Sequence, residues 1–245
     1  MARSVRVASW MAIVGAIVGI AVTPFMAAVW AFEPGVVWDE LSLLERTVGP
    51  TLESWGALSF GAGRVTAADG TILSEATPYE VYGKAFFLVY LLMLPIVRYV
   101  HGLHGMRTQS KWEARTWRVL WVSLIVAGVG DAVSYWGISL PDPTGHALWG
   151  GGFLVEILAM LVVLGATTVY GVVGLRLRVL PLWASVLLSA VVPIGVMTVA
   201  TVTAYVPNAV VVPISIIWAA IAIWVLATER RQHSTLESIQ ATTSA

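Results

Sequence analysis

The stretch WRVLWVSLIVAGVGDAVSYWGI, residues 117–138, decides how this chain is read. Its length, at 1.5 Å rise per residue, matches the roughly 30 Å hydrocarbon core of a bilayer. It is apolar and small throughout, with tryptophans toward both ends and a single carboxylate, Asp131, inside. A membrane span accounts for the run; Asp131 then needs an account of its own.

The rest of the chain agrees with a membrane reading. Of 245 residues, 58% are hydrophobic and 11% charged, and the mean hydropathy is +0.82. Soluble domains carry about a quarter charged residues. The formal net charge is zero, which gives no footing for nucleic acid. There is no cysteine, so disulfides, thiol catalysis and cysteine metal sites are excluded.

Six segments are long and apolar enough to span: about 7–32, 79–99, 117–138, 147–175, 182–205 and 207–228. The expected fold class is therefore an all-α integral membrane protein, a bundle of six transmembrane helices. Residues 1–231 form the membrane domain, and the Ser- and Thr-rich stretch 232–245 reads as a disordered tail. Arg3, Arg6, Arg98, Arg107, Lys111, Arg115, Arg118, Arg176, Arg178, Arg230 and Arg231 all fall on one side of a six-span arrangement. The opposite loops carry Glu33, Asp39, Glu40, Glu45, Glu53, Asp69, Glu75, Glu80 and Asp142. The positive-inside rule makes the basic side cytoplasmic, with both termini there, in a plasma membrane (the inner membrane of a bacterial cell). Trp10, Trp112, Trp117, Trp121 and Trp183 flank that side, and Trp30, Trp38, Trp136 and Trp149 the other, as interfacial anchors do. The first apolar run exceeds the 7–15 residues of a signal-peptide core, so a retained span is expected.

The outer loop 33–78 is the one large extramembrane piece. Leu41, Leu44 and Trp38, then Leu52, Trp55 and Leu58, recur at helical spacing, so two short amphipathic helices capping the bundle are expected, followed by a turn at Asp69-Gly70. His101 and His104 form H-x-x-H in a basic loop, but glycines interrupt it and no third ligand is near. No metal and no cofactor is expected. No P-loop, GxGxxG, HExxH or GxSxG triad is present. Gly15 and Gly19 form G-x-x-x-G, and Gly128 and Gly150–152 offer further close approaches. Pro95, Pro193 and Pro213 interrupt three spans.

Three ionisable residues fall inside spans, where each costs about 3 kcal/mol on insertion scales. Counting in from the outer ends, Lys84 lies about 8 Å deep, Asp131 about 10 Å and Glu156 about 13 Å. They share one layer on three helices. Ser134 and Tyr135, three and four residues after Asp131, share its face, and His146 lies near the mouth. The expected site is an outward-facing polar pocket of Lys84, Asp131, Glu156, Tyr135, Ser134 and His146, with the lysine neutralising one carboxyl. The alternative is that Glu80 and Lys84 satisfy each other while the carboxyls serve as packing contacts.

Three functions fit these residues. The first is binding of a lipid-like or small hydrophobic ligand, or of a partner membrane protein. The second is a small proton- or cation-coupled transporter. The third is an enzyme acting on a lipid or isoprenoid with Asp131 and Glu156 as acid and base; this one lacks a nucleophile or phosphate-binding motif. Membrane lipids are the partner common to all three.

Overall fold

The computed structural model describes residues 2–27, 63–66, 72–76, 78–107, 111–141, 143–178, 180–201 and 208–243. These form α1 (Ala2–Ala27), a hairpin of β1 (Gly63–Thr66) and β2 (Ile72–Ala76), α2 (Pro78–Gly83), α3 (Phe87–Arg107), α4 (Lys111–Gly137), α5 (Thr144–Leu177), α6 (Leu182–Ser189), α7 (Val191–Thr201) and α8 (Asn208–Thr243). Among the described residues, five helical stretches are long and apolar enough to cross a membrane: Ser4–Thr23, Val81–Leu103, Lys111–Gly137, Thr144–Leu177 and Val210–Arg231.

Each departure from the expected spans has a local cause. Residues 79–99 are not one smooth helix: α2 passes to α3 through successive i→i+3 bonds, Ala85 N–H to Tyr82 O and Phe86 N–H to Gly83 O. The run 182–205 divides at Ala190 into α6 and α7. Pro193 has no N–H for the Ser189 carbonyl, and its ring crowds that carbonyl. α5 stops where Arg178 turns left-handed (φ 51°) and its N–H bonds the Gly174 carbonyl, a left-handed C-terminal cap formed without glycine. α8 continues to Thr243, so the tail expected to be disordered from 232 is helical to that point. No Pro or Gly follows Pro213 to end it.

The loop 33–78 also differs from expectation. Residues 63–66 and 72–76 pair as antiparallel strands, with Gly63 opposite Ala76 and Arg64 opposite Glu75. The two amphipathic helices expected between 38 and 58, and the Asp69-Gly70 turn between the paired strands, lie outside the described residues.

Five units close a ring: α3 packs on α4, α4 on α5, α5 on α6 and α7, these on α8, and α8 on α3. α1 docks outside, on α3 and α8. Its small residues form the contact: Ala8, Ala12 and Ala16 are buried, Gly15 meets Leu92, and Gly19 meets Val89 and Val212. The ring interior holds Tyr90, Met93, Leu120, Leu124, Tyr170, Leu188 and Trp218, all fully buried. The perimeter is the reverse of a soluble protein's. Val122, Val129, Leu154, Leu158, Leu161 and Val196 are exposed, while Ser123, Asp131, Ser134, Glu156, Thr167 and Ser215 are buried.

A buried carboxyl pair as candidate functional site

The site begins with two glycines. A Cβ on Gly152 would lie 2.5 Å from the Ser134 nitrogen and 2.6 Å from the Gly130 oxygen. A Cβ on Gly130 would lie 2.8 Å from the Glu156 nitrogen. α4 and α5 therefore touch backbone to backbone, closer than any larger residue allows. This contact sets Asp131, next to Gly130, beside Glu156, one turn after Gly152. Ser134 ties the same seam, donating to the Trp149 carbonyl at 3.1 Å.

Asp131 and Glu156 are both fully buried, and their carboxyls interact directly. Tyr90 on α3 completes the group: its hydroxyl donates to Glu156 Oε1 at 2.7 Å. Gly128 admits it, since a Cβ there would lie 3.2 Å from the Tyr90 Cβ. Asp131 Oδ1 and Oδ2 and Glu156 Oε2 have no donor in hydrogen-bond geometry. The Phe87 N–H, at the start of α3, faces Asp131 without closing a regular bond. An ionised carboxylate only accepts. Two facing carboxyls can bond each other only with a proton between them; otherwise a cation must supply the positive charge.

That charge does not come from Lys84. Its Nζ lies 5.6 Å from the centre of the Trp136 ring, on the bundle's flank. Trp136 holds it there through an Nε1–H bond to the Lys84 carbonyl at 3.1 Å. The expected Lys–Asp–Glu triad is thus not assembled: counting residues along a helix does not fix a side chain's direction around its axis. His146 is exposed at the start of α5, ten residues before Glu156, and does not join the pair. Tyr135 is fully buried, its ring 2.2 Å from where a Gly83 Cβ would stand, so that glycine at the α2–α3 bend makes its pocket. Thr198 donates to the Ile194 carbonyl of its own helix at 2.8 Å.

Tyr90 was missed from sequence. The same depth count that placed Glu156 at about 13 Å puts Tyr90 near 16 Å on the second span, and it is the hydroxyl of that span nearest this depth.

At the basic end, His101 of the H-x-x-H bonds Glu113 Oε1 through Nδ1 at 2.6 Å. Glu113 is buried (2% exposed), and the His101 ring stacks on Trp117 at 4.1 Å. The His104 side chain lies outside the described residues, and among the described residues no cluster of three or more His, Asp or Glu forms a metal site. No family model, curated protein or solved structure matches this chain.

Proposed function

We propose that the protein is a multi-pass membrane protein that takes up and passes protons through the Asp131–Glu156 pair, as a proton-coupled transporter. In this reading the broken α6–α7 unit is a sixth crossing, the membrane is the plasma membrane, and the basic end with both termini is cytoplasmic. Support for insertion is the apolar perimeter, with carboxyls and hydroxyls such as Asp131, Glu156, Ser134 and Thr167 buried inside. A groove of about 600 Å³ between α4 and α5, lined by Val119, Val122, Val126, Leu158 and Val162 with Arg118 at its basic end, suits a lipid chain and its headgroup.

One observation carries the proton reading. Two interacting carboxyls are buried with three of their four oxygens lacking a donor and, among the described residues, no lysine or arginine on them. Carboxylates in an apolar interior need a compensating positive charge. A closed site of this kind admits a proton or a bare cation, whereas the ligand-binding reading requires the bundle to open first. Intramembrane acids of this type mark proton relays.

The test is reconstitution into vesicles with an internal pH dye and an imposed pH gradient. Proton flux should fall at least about tenfold in Asp131→Asn and Glu156→Gln. Flux equal to the unsubstituted protein in both variants sinks the reading. Flux that follows a sodium gradient and ignores the pH gradient replaces the proton with a cation.

A further inference from the structure

Two polar clusters use the same three helix faces. On α3, Tyr90 and His101 are eleven residues apart, about three turns. On α4, Glu113 and Asp131 are eighteen apart, five turns at 3.6 residues each. On α5, Glu156 and Tyr170 are fourteen apart, about four turns. Each pair therefore projects in nearly one direction, and Tyr170 does face the Glu113 carboxyl. The Tyr90–Asp131–Glu156 group and the His101–Glu113–Tyr170 group lie on one seam, roughly 16–27 Å apart along the helices.

Between them the seam is apolar. Met93, Ile96, Leu120, Leu124, Met160 and Val163 are buried there. Thr167 Oγ1 interrupts this layer without a hydrogen-bond partner, on a fully buried residue eleven positions after Glu156 and so on its face.

We infer that His101 and Glu113 form a second proton station, the one from which protons leave to or enter from the basic side. This rests on the proton reading above. A proton released by the Asp131–Glu156 pair breaks its carboxyl O–H bond. It then binds the Glu113 carboxylate or the His101 ring, which share it across their 2.6 Å contact. From there it passes to solution at the exposed part of the ring, the His101 side chain being 25% exposed against 2% for Glu113. The apolar layer is too thick for a direct jump, so each transfer requires water or movement past Thr167. The titratable groups around the station are Glu113 from α4 and Tyr170 from α5, with Tyr99 beside it on α3 facing Glu229 of α8. Trp117 covers one face of the imidazole.

Glu113→Gln distinguishes this from a structural tie. The substitution keeps a carbonyl oxygen to accept from the His101 ring but cannot take up a proton. In the vesicle assay its flux should fall about tenfold or more, while Glu113→Asp keeps a measurable part. Infrared spectra of the purified full chain should still show the protonated-carboxyl band that Glu156→Gln removes, so the first station is intact. If Glu113→Gln and His101→Gln both conduct within about twofold of the unsubstituted protein while Glu156→Gln does not, the second station is wrong and the first reading stands. If Glu156→Gln conducts as well, both are wrong. A Glu113→Gln protein with lost helicity calls for Thr167→Val as the second variant. Reduced flux there supports the seam, and unchanged flux overturns it.

Discussion

The chain buries acid at two places and treats them differently. Glu113 at the basic end has an imidazole at 2.6 Å and a phenol facing it. Asp131 and Glu156, deeper and more fully enclosed, share a single phenolic donor on one of four oxygens. A buried carboxylate must be compensated. The first acid carries its compensation within the fold, and the second must acquire it from outside. An acid that hands a proton to a titratable neighbour is built like the first, and an acid that exchanges its counter-charge is built like the second.

Five substitutions, one with two controls, break or sharpen that contrast, beginning with the scaffold. Gly152→Ala places a methyl 2.5 Å from backbone atoms of α4 and should lower stability by about 3 kcal/mol in a reversible unfolding assay. Gly150→Ala and Gly151→Ala, where a Cβ meets nothing within 4 Å, should be near neutral. Equal effects at all three would show that the seam is not held by backbone contact. Next, His101→Ala removes the hydrogen-bonding partner of a buried acid and should cost about 2 kcal/mol. Asp131→Asn should act in the opposite direction, stabilising at neutral pH by about 1 kcal/mol, since an amide brings a donor to the unpaired Glu156 Oε2. A loss of stability in Asp131→Asn matching that of His101→Ala would erase the contrast. Tyr90→Phe strips the one donor from Glu156 and should cost about 1 kcal/mol or slightly more, read as a shifted unfolding midpoint. The smallest effect belongs to Lys84→Met. Its exposed-side contact with Trp136 is worth about 0.5 kcal/mol, and flux should not change. A large loss of flux there would return Lys84 to the site.

Legibility in the sequence followed the kind of signal. Apolar length marked the helices that now appear as α1, α3, α4, α5 and α8, because hydrophobic runs depend only on local composition. The same signal joined 182–205 into one segment, although Pro193 was visible within it. The Asp131–Glu156 pairing was also legible, since depth along a straight helix follows from counting residues. Lys84 and His146 failed at the next step. Membership of the site depends on rotation about the axis, and near-uniform apolarity gives no stripe from which rotation can be read. Glu113 was hidden by the opposite error. It lies in a basic, polar stretch that reads as a loop, and its burial arises from His101 and Tyr170, residues distant in sequence. The strands at 63–66 and 72–76 were overlooked beside a turn signal that in fact lies between them.

The outside position of α1 has a consequence for how the chain is made. α1 precedes the rest of the bundle, yet one of the surfaces it docks on belongs to α8, the last described helix. Until α8 emerges, α1 has α2 and α3 to meet but not α8. The ring of α3 to α8 closes without it. α1 is therefore made before α8 and among the last elements to be fully seated, so translation through α8 must precede its final packing.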